Sequence, residues 1–327
     1  MTVRRRSTGL GLSLAVAMLL VGVSAPVAAG KAKVARCQVV DVTSAATFGT
    51  LQAAINAAAP GATLRVKGTC VGNTVVTKNV TIAGHSNPAF GPATLDGAGS
   101  GRVVTVQAGV SVTMTGLTIT NGTAAVGGGI LNDGDLTLVG SIVTGNSAQA
   151  GGGIANVEPH RTLSLRDSTV SGNTATDFGG GIYNVDGDAT LLGDTKVTGN
   201  SATAGGGILA SAHGSLTIAG TTSIDHNTAT TGGGLSCADC DRTSLNDVSS
   251  VHDNVATGSG GGISVGGFGV VVLNDASSVF GNTAAVNGGG IWFSPVGGTA
   301  ILNGTSSIHD NHPDNCFPTD RADGCST

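Results

Sequence analysis

The side chains with the most scope for chemistry recur in one part of a repeating sequence. Asp133 and Asp135, Glu158 and His160, Asp186 and Asp188, His213, and Asp239 and Asp241 follow one another at nearly regular intervals. Stacked in register, neighbouring carboxylates about 5 Å apart would raise one pKa or share a hard cation such as Ca2+. That separation also suits the carboxylate pair of a retaining glycosidase, about 5–5.5 Å. Asp133, Asp135, Glu158, Asp186 and Asp188 are thus candidate calcium ligands, and Asp186, Asp188 and His213 are alternative catalytic groups. The plainer reading takes Asp, Gly and Asn as turn formers on a solvated edge and outranks both. No cofactor is required; Ca2+ is the candidate.

Other candidates carry less. His252-Asp253 and His309-Asp310 occupy matching positions two repeats apart, with Phe280 between. Such a couple serves acid–base chemistry only beside a reacting group, and no activated Ser or Cys accompanies either. Tyr183 and Trp292 each follow an apolar residue expected to be buried, so both should point outward. The six cysteines are Cys37, Cys70, Cys237, Cys240, Cys316 and Cys325. An even number in an exported chain reads as disulfides, and proximity suggests Cys37–Cys70, Cys237–Cys240 and Cys316–Cys325. Cys237-Ala-Asp-Cys240 also reads as half a zinc site or a redox dithiol. No second CxxC or HxxxH completes the former, and no βαβ context supports the latter.

What positions these groups is a repeat. Triple glycines begin at Gly127, Gly151, Gly179, Gly205, Gly232, Gly260 and Gly288, each followed by Ile or Leu. A second series runs Asn146, Asn173, Asn200, Asn227, Asn254, Asn282 and Asn311, with Val or Ile three residues before each. Between them lie alternating apolar pairs such as Leu136/Leu138, Leu163/Leu165 and Leu216/Ile218. Alternation of this kind marks half-buried strand. Three short strands in about 27 residues, with no 3.6-residue periodicity, predict a single-stranded parallel β-helix rather than a helical solenoid or propeller. Crossover handedness makes it right-handed. The Asn series should form one inward-facing column, hydrogen-bonded along the axis as amide ladders are in other stacked β structures. Thr50 to Ala59 should form a short cap helix.

The ends and the composition narrow the class. Arg4, Arg5 and Arg6, the apolar run Leu10–Val23 and Val27-Ala28-Ala29 predict a signal peptide over 1–29. The remaining organisation reads as a cap and early coils (30–120), repeat coils (121–311) and a terminal cap loop (312–327). Glycine supplies 55 of 327 residues, and charged residues only 11%. With the signal arginines removed, 12 basic residues face 20 acidic ones, or −8; over 121–312 the count is 4 against 15, or −11. So acidic a surface repels phosphate backbones and excludes nucleic acid as a partner. No apolar run long enough to span a membrane follows the signal.

At this point the chain resembles the secreted right-handed parallel β-helix proteins of the pectate-lyase-like superfamily. Thr50–Cys70 (TLQAAINAAAPGATLRVKGTC) is similar to the opening segment of exported bacterial members. Gly-Gly-Gly-Ile and Val-x-Gly-Asn are similar to the GGA-[ILV] and FxxN repeats of polymorphic outer-membrane proteins. The resemblance departs from the family's enzymes: the Asp-Asp and RIK elements and the WxDH motif are missing, and only Ala212-His213-Gly214 approaches GHG. It therefore implies the fold and not a reaction. The expectation is a secreted or cell-surface, non-catalytic scaffold of surface, matrix or adhesion type, with a polysaccharide or other cell-surface component as partner. The alternatives are a polysaccharide lyase or glycoside hydrolase, and a calcium-stabilised carbohydrate-binding module.

Overall fold

The structure is a computed structural model that describes residues 1, 2 and 36–321. All of the expected signal segment but its first two residues lies outside the described part, as does Cys325. From Thr63 onward the chain winds as an all-β parallel solenoid of about nine turns with coils of about 27 residues. Three sheets run along it. The first has twelve strands, from an antiparallel start at Thr47–Phe48 and Gln38–Asp41 through Asp135–Val139 to Thr299–Leu302. The second has ten, from Thr69–Val71 to Ser307–His309, and the third ten, from Thr74–Val76 to Cys316–Phe317.

Stacking in register explains why one apolar pair per coil suffices. Leu136 pairs with Leu163 and then Ala189, while Leu138 pairs with Leu165 and then Leu191. All six are buried, and Thr137, Ser164 and Thr190 lie between them on the outer face. Each buried Leu or Val contributes roughly 1.5–3 kcal/mol relative to exposure. The interior is thus a set of continuous columns, because every coil repeats the same inward positions.

The Asn series forms the expected column. The Nδ2 of Asn146 donates to Oδ1 of Asn173 at 3.0 Å, and the same bond joins Asn173 to Asn200, Asn200 to Asn227, Asn227 to Asn254 and Asn254 to Asn282. Asn282 donates to Asn311, and Asn311 to Asn315. From Asn173 onward each Oδ1 also accepts the backbone N–H of the preceding Asn, as Asn200 does from Asn173 at 3.0 Å, while that of Asn146 accepts from Gly122 N–H. Each Nδ2 reaches a main-chain carbonyl of the previous coil, such as Val170 O from Asn200 at 2.9 Å. A buried amide must fill both donor and acceptor sites, and axial repetition does this with one residue type.

The glycine triplet answers a second constraint. Gly151 has φ +65°, where a Cβ is disfavoured. A Cβ on Gly153 would lie 2.6 Å from the Gly181 carbonyl oxygen and 3.0 Å from Asn173 Nδ2. The triplet therefore lets the backbone turn and then press against the next coil's carbonyls and its Asn amide.

Two features differ from expectation. The stretch between Asn and the glycines is itself a short strand in most coils, so two small sheets form: Thr123–Val126, Ser147–Ala150 and Thr174–Phe178, and Thr228–Ala229, Val255–Ala256 and Thr283–Ala284. Their apolar residues are mostly alanines, too small to announce a strand in the sequence. The cap helix is confined to Leu51–Ala57, with Thr50 Oγ1 accepting from Ala53 N and with Leu51, Ala54 and Ile55 buried. The antiparallel strand Gln38–Asp41 pairs with Thr63–Lys67, so a hairpin covers that sheet edge together with the helix. Cys37–Cys70 ties this cap to the second sheet.

Candidate functional site

The acidic turns lie between the third sheet and the first. Asp186 and Asp239, both at φ 55°, adopt the left-handed conformation that a short polar side chain tolerates, His160 at 63° and His213 at 67° share it, and Glu158 is also at positive φ, 93°. These turns are short, so the side chains fan outward at a solvated corner.

The register separates Asp135 from Asp188, two of the acids that the sequence places in one column. Asp135 pairs with Thr162, Thr162 with Asp188, and Asp188 with Ser215. Carboxylates thus alternate with hydroxyls, and Asp135 and Asp188 stand two coils apart, about 10 Å at the ~4.8 Å strand spacing. Thr162 Oγ1 donates to Asp135 Oδ1 at 2.8 Å, and Ser215 Oγ donates to Asp188. The expected 5 Å neighbours are not these two. Among the described residues, no three His, Cys, Asp or Glu side chains converge as a cation site, so Asp133, Asp135, Glu158, Asp186 and Asp188 do not form a common one.

Asp133 sits differently. Burial raises its pKa, Arg102 and Arg161 lower it, and Glu158 raises it further, so the net shift is upward. Arg102 comes from the preceding coil and was not singled out from the sequence. Its Nη2 donates to Val126 O at 2.8 Å, its Nε to Gly127 O at 3.0 Å and its Nη1 to Thr105 Oγ1 at 3.1 Å. Only an arginine fork reaches three acceptors in this way while keeping its charge beside Asp133.

The catalytic alternative is brought together in part. His213 Nδ1 lies 2.9 Å from Asp241 Oδ1. That hydrogen bond, followed by the charges of Asp241, Asp186 and Asp239, raises the His213 pKa above its ordinary value. Asp188 is not in this group, because Ser215 takes its carboxylate. Ala212, His213, Asp239, Cys240, Asp241 and Phe268 line an open depression here. Its floor is tied by the Cys237–Cys240 disulfide, which resolves the three readings of that CxxC in favour of the first. Phe268 was missed. It stands at the tip of Gly266-Gly267-Phe268-Gly269, and its N–H donates to Asp239 Oδ1 at 3.0 Å.

The remaining candidates fall elsewhere. Asp225, His252, Phe280 and His309 form one outer column of the second sheet. His252 stacks on Phe280 with centroids 4.9 Å apart, and Phe280 on His309 at 5.4 Å. His252 bonds Asp253 at 2.9 Å and His309 bonds Asp310 at 2.8 Å, so the couples are local. Tyr183 and Trp292 each lie between two buried neighbours and so face outward as expected, half-buried on the outer side of the third sheet, where Phe178 stacks on Tyr183 at 6.1 Å. Cys316 is buried, but its expected partner Cys325 lies outside the described residues.

Residues 167–185 match the Chlamydia polymorphic membrane protein repeat. The matched stretch contains the second-sheet strand Thr169–Ser171, Gly172-Asn173 and Gly179-Gly180-Gly181-Ile182, one passage from the Asn marker to the glycine marker. The chain is a β-helix repeat protein that resembles polymorphic outer-membrane proteins. No curated protein and no solved structure matches it.

Proposed function

We propose that this chain is an exported β-solenoid scaffold of surface, matrix or adhesion type, displayed at or released from the cell surface. The observation that carries the reading is the match to a polymorphic membrane protein repeat inside an array whose seven Asn markers share one hydrogen-bond ladder. Such an array is a stiff rod, since each coil is bonded to the next along three sheets. Short corner turns leave its outer faces accessible along their length. Among the described residues no helix is long and apolar enough to cross a membrane. The test is protease shaving of intact producing cells, with antibodies against the chain and adhesion assays on the released rod. Retention of the chain inside cells would sink the proposal.

A second reading has one observation in its favour, the hydrogen-bonded His213–Asp241 pair with Asp186 and Asp239 nearby. In that reading the pair serves acid–base chemistry on a polysaccharide. Turnover of a uronic-acid or neutral polysaccharide, lost in His213→Gln and in Asp186→Asn, would put it ahead of the scaffold.

A further inference from the structure

We propose that the depression beside Phe268 receives the guanidinium of an arginine from a basic segment of a partner protein. The inference rests on the scaffold reading and names the kind of partner that its surface fits. Phe268 is 89% exposed, the most exposed aromatic among the described residues. It is not a loose end. Gly267, at φ +59°, lets the Asp239 carboxylate approach the main chain, and that carboxylate takes the Phe268 N–H. Gly269 lies so close to Cys237 Sγ that a Cβ there would meet the sulfur. The ring is therefore held away from the body by a turn anchored to a carboxylate and a disulfide.

Charge selects the occupant. The walls of the depression carry Asp239 and Asp241, with Asp186 near enough to act on His213. The adjacent cation, Arg242, turns its Nε to Ser244 Oγ at 2.9 Å. An apolar ring face beside carboxylates complements a flat cation, which stacks on the ring and donates to the acids. Arginine does both at once, whereas lysine is a compact, strongly hydrated point charge. His213 tunes the site, because its protonation brings a positive charge to Asp241 and competes with the incoming guanidinium. The groups facing that imidazole are Asp241, Asp186 and Asp239.

The experiment titrates the purified full chain with a short Gly/Ser peptide carrying four arginines, alongside the same peptide with citrulline in their place. Expected is saturable binding of the arginine peptide, about tenfold weaker for Phe268→Ala and for Asp241→Asn. Asp310→Asn, remote in the fold, should stay within about twofold. Binding should weaken from pH 8 to pH 5.5, and His213→Gln should remove that pH response. Because the Phe268 side chain is solvent-exposed, its loss leaves the fold intact, which circular dichroism checks. Equal losses in Asp310→Asn and Asp241→Asn would reduce the effect to general charge attraction and overturn the inference. So would an unchanged Phe268→Ala, or equal affinity for the citrulline peptide or a neutral oligosaccharide. A chain found on the cell surface that ignores the peptide overturns this inference alone; a chain absent from the surface overturns the scaffold reading.

Discussion

At the corner after the second sheet, Asn146 to Asn282 are buried, while at the corner after the third, Asp135, Glu158, Asp188, His213 and Asp241 stand in solvent. The same coils pass through both corners, yet the first keeps one residue type throughout and the second changes at every turn. Burial is the difference. A buried amide with an unfilled donor costs about 1–3 kcal/mol, so the inner corner tolerates only a side chain that bonds its own copy above and below. Water fills the needs of an outer corner, so neighbouring coils diverge there, and a local site such as the one beside Phe268 has room to develop.

The comparison breaks if the inner ladder proves dispensable. Asn200→Ala removes the Oδ1 that accepts from both N and Nδ2 of Asn173, and should cost about 3 kcal/mol in a denaturant melt. Asn303→Ala is the matched control. Asn303 ends a separate, more exposed ladder through Asn274 to Asn246, and its loss should cost under about 0.5 kcal/mol. Equal costs would remove the argument from burial.

At the outer corner the largest single contribution should come from the covalent bond. Replacing both Cys237 and Cys240 with alanine opens a bridge between residues three apart, worth roughly 1.5 kcal/mol by the loop-entropy relation. A loss above about 4 kcal/mol would mean that this corner is as integral to stability as the ladder.

Titration sharpens the contrast. Burial pushes the Asp225 carboxyl up, but hydrogen bonds from Thr198, His226 and Ser223 outweigh it and hold the pKa below the ordinary value. A lowered folded pKa adds stability above the unfolded value and loses it as pH falls through the folded one. Wild type should therefore lose up to about 1 kcal/mol more than Asp225→Asn below pH ~4. His213 shifts the other way. Its imidazole resonances should titrate above the ordinary histidine value and move down toward it in Asp241→Asn, which removes the largest cause of the shift.

The smallest effect is expected from calcium. The sequence suggested that Ca2+ bound across stacked acids would raise stability by mass action. The register instead puts Thr162 between Asp135 and Asp188. A melting midpoint unchanged between chelator and millimolar calcium is the expected result, and a rise of several degrees would show that the outer acids move together in solution.

Much of this architecture was legible because it repeats. The Asn and Gly-Gly-Gly-Ile markers recur at nearly constant spacing, and a parallel coil is the structure that aligns such positions. The same rule hid a second buried ladder. Asn132, Asn156 and Asn184 each follow the marker Ile by two residues, and Asn132 bonds Asn156, and Asn156 Asn184, at 2.7 Å. The signal was present, but only three coils carry it before Ala210, Cys237 and Val265 take the position.

By itself the sequence determined the coil length, the inward columns and the main Asn ladder, because each follows from a repeating local pattern; nearness along the chain only pointed to the Cys37–Cys70 and Cys237–Cys240 pairs that the structure joins. Only the tertiary structure decided which outer side chains meet. Arg102 reaches the carbonyl of Gly127 and influences Asp133, His213 finds Asp241, and Phe268 rises over Asp239, each across a coil boundary. Those meetings depend on turns of slightly different length, where one inserted residue moves a side chain to another face. The core enforces register on what points inward, and nothing in the linear pattern enforces it on what points out.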